Sequence, residues 1–284
     1  MNNRKYAVFI LTHGRADRVY TYKMLKNYGY TGAIYLLCDD EDQDLNEYKR
    51  RYGDRVIVFS KKALEGTFDM MDNFDGRDVV VYARNHVHKL AKDMGFTHYI
   101  EVDDDYHGIY HVADFHGIAK WRPIKNLDKL FEYTLDLLDE TGALVIAYAQ
   151  GGDLIGGVAG SFYQEGVKRK AMNFFFIRTD SEIEFFGRLN EDANMYVYYG
   201  GRGKLIFTPM FVALTQTRTQ SNKGGLTDAY LTWGTYVKSF YTVMVCPSAV
   251  SISLMGNKYY RLHHNVDWNF CVPMVVSQKV KKVV

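Results

Sequence analysis

Three consecutive carboxylates, Asp103-Asp104-Asp105, follow the short apolar run Tyr99-Ile100-Glu101-Val102. An α/β fold places its ligand chemistry at the carboxyl ends of strands. Acids this close repel one another, and a hard divalent cation that prefers oxygen ligands is the usual remedy. Asp103 and Asp105 carry a D-x-D spacing. In a turn after a strand, alternate carboxylates can reach one ion directly or through water. Mg²⁺ or Mn²⁺ held this way bridges phosphate oxygens and stabilises charge growing on a departing diphosphate. The competing reading is a solvated acidic turn that caps a helix.

Further segments carry candidate chemistry. Thr12-His13-Gly14-Arg15 follows the first apolar run. Gly14 permits a tight turn, and Arg15 can contact phosphate or nucleobase, although an ordinary strand-to-helix turn has the same composition. Arg84, in Tyr82-Ala83-Arg84-Asn85, opens a helix; it can pair with a carboxylate, bind a diphosphate, or lie on the surface. Glu191-Asp192 stands near a helix start, where a carboxylate can take the proton from an attacking hydroxyl or simply complement the helix dipole. His263-His264 offers an additional metal ligand or a structural pair.

The elements that must position these groups alternate in the first hundred residues. Strands are predicted over Tyr6–Thr12, Ala33–Cys38, Arg55–Phe59 and His98–Val102. Helices are predicted over Asp17–Tyr28, Leu45–Tyr52 and Val79–Met94, with residues 61–78 mostly loop. That alternation is the signature of a doubly wound parallel sheet. Beyond the triplet, Tyr106–Pro123 reads as irregular and Leu127–Thr141 as an amphipathic helix. Leu144–Ala149, Met172–Arg178 and Leu205–Leu214 read as strands, and Arg188–Tyr198 as a helix. A glycine-rich loop spans 151–160.

Bulk composition narrows the class. Hydrophobic residues make up 47% of the 284, as in an ordinary globular protein. The net charge of +2 gives no global case for nucleic acid, though a local basic face remains open. Cys38, Cys246 and Cys271 lie far apart and form no CxxC pair, which argues against a zinc knuckle and fits a reducing compartment. The run Tyr6–Thr12 is too short for a signal peptide or a membrane span. The expectation is a cytoplasmic protein without membrane contact or an obligate protein partner. No linker or repeat divides the chain. We expect one domain over 1–284, with a nucleotide-binding half at 1–106 and an acceptor-facing half at 107–284.

Taken in order, the strand-end loop, the Ala-Arg-Asn helix, the D-x-D turn, the glycine-rich loop, the Glu-Asp pair and the late histidines resemble the GT-A class of glycosyltransferases. The segments Gln220-Ser221-Asn222-Lys223-Gly224-Gly225-Leu226, Gly234-Thr235-Tyr236-Val237-Lys238-Ser239, Val243-Met244, Pro247-Ser248 and His263-His264-Asn265-Val266-Asp267-Trp268 resemble the TET-associated glycosyltransferases of bacteriophages. That resemblance covers most of the chain. It implies a GT-A-type, Rossmann-like nucleotide-sugar-binding sheet with an acceptor-side second half. It also implies a UDP-sugar donor, a Mn²⁺ or Mg²⁺ ion, and hydroxymethylated DNA as acceptor, the last in an infected host cytoplasm. By resemblance, Asp103 and Asp105 hold the metal with His263 or His264, and three tandem acids leave open a ligating role for Asp104. Thr12, His13, Gly14, Arg15, Arg84, Asp103 and Asp104 meet the donor. Asp192, beside Glu191, activates the acceptor. Lys168, Arg169, Lys170, Arg202, Lys204, Arg218 and Lys223 are candidate phosphate contacts. Rival readings are a GT-A enzyme acting on carbohydrate, lipid or protein, a metal-dependent nucleotidyltransferase, and a non-catalytic binding module.

Overall fold

The computed structural model describes residues 4–115, 118–154, 159–164, 174–217, 237–255 and 261–271. Strands β1 (Tyr6–Leu11), β2 (Ala33–Asp39), β3 (Val56–Phe59) and β4 (His98–Asp103) alternate with helices α1 (Tyr20–Asn27), α2 (Leu45–Tyr52) and α3 (Val81–Asp93). Strands β5 (Tyr106–Phe115) and β6 (Ile118–Pro123) follow, then α4 (Leu127–Thr141). Next come β7 (Val145–Ala147), β8 (Ala149–Gln150), α5 (Ser161–Gln164), β9 (Phe175–Arg178), α6 (Glu191–Gly200), β10 (Ile206–Phe207) and β11 (Val212–Gln216). Helix Val237–Val245, strands β12 (Val250–Met255) and β13 (Arg261–Val266), and the short helix Trp268–Cys271 complete the described chain.

A seven-stranded sheet runs β10-β7-β9-β4-β1-β2-β3. The β1, β2, β3 and β4 pairings are parallel, and β9 is antiparallel to both neighbours. Both halves of the chain therefore supply strands to it. β1 shows why this sheet is central: its apolar residues alternate between two separate cores. Ala7, Phe9 and Leu11 join one, and Val8 and Ile10 join the other. A strand covered on both faces reads as a continuous apolar run.

Helix α4 forms where its sequence signals place it. The side chain of Asn126 caps the first turn by accepting the Lys129 N–H at 2.9 Å, and Gly142 ends the helix in a left-handed conformation, φ +63°. Leu127, Phe131, Leu135 and Leu138 line its buried face.

Several sequence expectations change. The stretch read as irregular instead carries the antiparallel strands β5 and β6, which sit in a four-stranded sheet of order β6-β5-β11-β8. Leu144–Ala149 splits between the two sheets as β7 and β8, and Leu205–Leu214 likewise splits into β10 and β11. The helix expected from Asp17 starts at Tyr20. The one expected from Arg188 starts at Glu191, because Asn190 takes a left-handed φ of +56°. Arg188 is instead buried, binding the Asp72 carboxylate at 2.8 Å and the Gly76 carbonyl at 2.6 Å, so it anchors the 61–78 loop.

Candidate active site

Parallel pairing sets Leu11 beside both Leu37 and Asp103. The segments that follow these strands therefore emerge at one sheet edge. The Thr12–Arg15 turn follows β1. Gly14, at φ +64°, lets its N–H donate to Asp42 Oδ2 at 2.9 Å. His13 Nδ1 lies 2.6 Å from Asp39 Oδ2, and Lys61 Nζ lies 3.1 Å from Asp39 Oδ1. The hydrogen bond to Asp39 raises the proton affinity of His13. For Asp39, burial pushes the pKa up, but the His13 hydrogen bond and the Lys61 charge outweigh it, and the net shift is downward.

The three acids face different surroundings. Asp104 turns inward. Its Oδ2 accepts the Thr12 hydroxyl at 2.7 Å and its Oδ1 accepts Arg15 Nη1 at 2.8 Å. Burial raises its pKa despite both partners. Tyr48 supports this turn from α2: its hydroxyl lies 2.7 Å from Thr12 Oγ1 and accepts the Arg15 N–H at 2.9 Å. Asp105 is half-buried, and burial together with the charges of Asp103 and Asp104 pushes its pKa up to about 7. Asp103 keeps a third of its side chain exposed. Thr21 closes the turn, donating its hydroxyl to the Asp103 carbonyl at 2.6 Å and its N–H to the Asp104 carbonyl at 3.1 Å.

Arg84 is buried in the first turns of α3, which a guanidinium tolerates only with carboxylate partners. Its Nε donates to Glu191 Oε1 at 2.7 Å, Nη1 to Glu101 Oε1 at 2.7 Å, and Nη2 reaches Asp103 Oδ1 at 3.3 Å. The rings of Phe175 and Phe185 lie 5.4 and 5.8 Å from its central carbon. Glu101 is fully buried, and its Oε2 has no hydrogen-bond partner among the described residues. Burial, only partly offset by Arg84, lifts the Glu101 pKa to about 7.

Glu191 and Asp192 open α6. Asp192 is half-buried and its Oδ1 accepts the Ala193 N–H at 2.7 Å. Burial and the adjacent Glu191 push its pKa up to about 7. Asn190, just before, donates from Nδ2 to the Lys238 carbonyl at 2.9 Å and lies 3.2 Å from His264 Nδ1. The late histidine is thereby tied to the start of α6. The His263 and His264 rings lie 4.6 Å apart, and burial, with the neighbouring His263 and Lys238 charges, lowers the His264 pKa to about 4.

Among the described residues, no three His, Cys, Asp or Glu side chains already form a metal-binding group. The structure brings Thr12, Arg15 and Asp104 together, and separately Arg84, Glu101, Asp103 and Glu191. Sequence reasoning missed Thr21, Tyr48 and Glu101. Only Glu101 carried a signal, as an acid inside an apolar strand. Of the candidate phosphate contacts, Lys168, Arg169, Lys170, Arg218 and Lys223 lie outside the described residues, as do Gln220–Leu226 and Gly234–Tyr236. Arg202 and Lys204 are exposed after α6, with Arg202 over the Tyr198 ring at 3.6 Å.

This mainly parallel sheet, with acids gathered at its strand ends, has the fold of the GT-A glycosyltransferases. Glucosyl-3-phosphoglycerate synthase from Mycobacterium tuberculosis, solved with Mn²⁺ and UDP-glucose, shares that fold at a TM-score of 0.50 and 11% identity, over 92% of this chain and 86% of its own. TarS from S. aureus aligns at a TM-score of 0.44 and 13% identity, over 75% of this chain and 36% of its own. No curated protein matches the sequence. The family model of the TET-associated glycosyltransferases matches residues 6–225, and the chain belongs to that family.

Proposed function

We propose that the protein transfers a hexosyl unit, glucose or N-acetylglucosamine, from a UDP-sugar to the hydroxymethyl group of a 5-hydroxymethylpyrimidine in DNA, with 5-hydroxymethylcytosine the leading acceptor. Membership of the TET-associated glycosyltransferases supports the transfer, and the charge balance around the acid triplet supports a metal-held diphosphate. Among the described residues, Glu101, Asp103, Asp104, Asp105, Glu191 and Asp192 gather around Arg15 and Arg84, and the carboxyls of Glu101, Asp105 and Asp192 are all pushed up to about 7. Such a surplus of oxygen donors suits a hard divalent cation. The unpartnered Oε2 of buried Glu101 marks the same deficit of positive charge.

Asp103 and Asp105 are the residues that would hold Mn²⁺ or Mg²⁺, with His263 or His264 as the additional ligand. The ion would supply charge neutralisation at the diphosphate. Asp104 keeps its two inward bonds and holds Arg15 and Thr12 in place to meet the donor, with His13 and Gly14 shaping the turn. Arg84 holds Asp103 on one side and Glu191 on the other.

Asp192 is the base. A carboxylate with a pKa near the working pH is matched to proton abstraction. The acceptor hydroxyl oxygen forms a bond to C1 of the sugar, and the C1–oxygen bond to the diphosphate breaks. The hydroxyl proton passes to Asp192, and UDP leaves. Attack from the face opposite the leaving group inverts the anomeric centre. The C5 substituent of a pyrimidine points into the major groove, so the acceptor hydroxyl can be presented from the duplex or from a flipped base.

The test is UDP release with Mn²⁺ or Mg²⁺, UDP-glucose or UDP-N-acetylglucosamine, and DNA with or without 5-hydroxymethylcytosine. We expect release that requires both the metal and the hydroxymethyl group. Release indifferent to the DNA would point to a carbohydrate, lipid or protein acceptor. Pyrophosphate release from a nucleoside triphosphate would instead identify a nucleotidyltransferase.

A further inference from the structure

Asn190 joins the start of α6 to the C-terminal elements. Its backbone takes a left-handed φ of +56°, and its carbonyl accepts the Asn194 N–H at 2.8 Å. Its side chain reaches away from α6. Nδ2 donates to the Lys238 carbonyl at 2.9 Å and lies 3.2 Å from both Thr242 Oγ1 and His264 Nδ1. These partners are themselves held. Ser239 Oγ donates to the Leu262 carbonyl at 3.2 Å, which ties the helix Val237–Val245 to β13. β13 pairs with β12, with His264 opposite Ile252 and His263 opposite Ser253.

Such an amide could do no more than tie β13 to α6, but its atoms dictate more than attachment. A carbonyl only accepts, so the Asn190 atom beside the Lys238 carbonyl is the amide nitrogen and not the oxygen. That same nitrogen faces His264 Nδ1, and an amide nitrogen accepts no hydrogen bond. Nδ1 therefore presents a lone pair, since a proton there would set two donors against each other at 3.2 Å. A neutral imidazole carries a proton on one nitrogen only, so in His264 that nitrogen is Nε2. The bond made by one ring nitrogen decides the state of the other. With Nδ1 covered by the amide and Nε2 protonated, neither offers a lone pair to a cation.

We infer that Asn190 fixes His264 as the Nε2–H tautomer, a hydrogen-bond donor and not a metal ligand, which leaves the late ligand position to His263. Asn190 is thus a positioning residue. The ligand part of this inference rests on the reading of a divalent cation at the acid triplet, and the tautomer stands without it. His263 and His264 are successive residues of a strand, whose side chains leave on opposite faces. A division of roles between them follows from that placement. Asn190 also stands two residues before Asp192, so it holds the His264 ring at the start of the helix that carries the proposed base.

The first measurement is the nitrogen–proton correlation NMR spectrum of the histidine rings in the full chain, with His264 assigned by its loss in His264→Gln. We expect His264 Nδ1 in the unprotonated range and Nε2 in the protonated range. Asn190→Asp replaces the facing donor with an acceptor, and aspartate tolerates the left-handed backbone, so the proton should move to Nδ1. A ring in the unaltered chain with its proton on Nδ1, or on both nitrogens, overturns the inference. The second measurement is Mn²⁺ binding in the presence of UDP, read by electron paramagnetic resonance, with matching thermal unfolding curves to show that the variants fold. His264→Gln should match the unaltered chain, and His263→Gln should bind Mn²⁺ roughly tenfold or more weakly. Loss of affinity in His264→Gln, or none in His263→Gln, overturns the ligand assignment. If the unaltered chain binds no Mn²⁺ with UDP, the metal reading fails and the ligand assignment fails with it, and the ring spectrum still decides the tautomer.

Discussion

Arg84 Nε donates to Glu191 Oε1 at 2.7 Å across 107 residues of sequence. This bond joins the helix that precedes the acid triplet to the helix that carries Asp192. The same guanidinium reaches Glu101 and Asp103. One buried side chain therefore sets the position of the triplet relative to the proposed base.

Removing that charge should be severe. Arg84→Met leaves Glu101 and Glu191 buried without a counter-charge, and breaking a buried ion pair costs about 3–5 kcal/mol. Adding Glu191→Gln to Arg84→Met should recover part of the loss. Urea midpoints of the two variants and of Glu191→Gln alone close the cycle. Strict additivity would show that the two side chains are not coupled.

Asp192→Asn should lower transfer by about 10²–10⁴-fold, the usual contribution of a general base, and leave UDP-sugar affinity unchanged. Single-turnover transfer and donor titration separate the two effects. Unaltered turnover removes Asp192 from the mechanism.

The pH profile follows from the same residue. Asp192 accepts a proton only when ionised, and burial and Glu191 place its pKa at about 7. Below that value kcat/KM should fall about tenfold per pH unit, and above it the profile should level off. A flat profile between pH 5 and 8 would contradict the assignment.

A stability effect is expected at the opposite edge of the sheet. Asp139 Oδ2 accepts Arg4 Nη2 at 2.6 Å and its Oδ1 lies 2.8 Å from His98 Nε2. Burial pushes its pKa up, yet the hydrogen bonds from His98 and Arg4 outweigh this and the net shift is downward. A carboxyl whose folded pKa is depressed stabilises the fold above its unfolded value of about 3.9, and this is lost as pH falls through the folded value. Asp139→Asn should thus lower stability at pH 7 by about 1–3 kcal/mol. The difference from the unaltered chain should shrink below about pH 4, measured by urea unfolding at each pH.

Local signals account for most of the first half of the fold. The helices Leu45–Tyr52 and Leu127–Thr141 match their sequence reading end to end. Amphipathic spacing, and for Leu127–Thr141 a capping Asn126 and a terminal Gly142, act within a few residues. Tyr106–Pro123 failed as a reading because its histidines, glycines and tyrosines show no clean alternation. β5 becomes a strand through pairing with β11, whose sequence lies about a hundred residues away, and β6 by pairing in turn with β5.

The sequence by itself determined that acids stand at the end of an apolar strand, that arginines, a Glu-Asp pair and histidines accompany them, and that strands and helices alternate before them. Those facts depend on residue types and short spacings, which the chain carries in any conformation. Only the tertiary structure decided what each charge does. Parallel register brings the Thr12 turn to the triplet, and Asp104 turns inward while Asp103 stays partly exposed. Arg84 binds three acids from two distant segments. A buried charge takes its role from the partners that desolvation forces upon it, and those partners are chosen by packing between elements far apart in sequence.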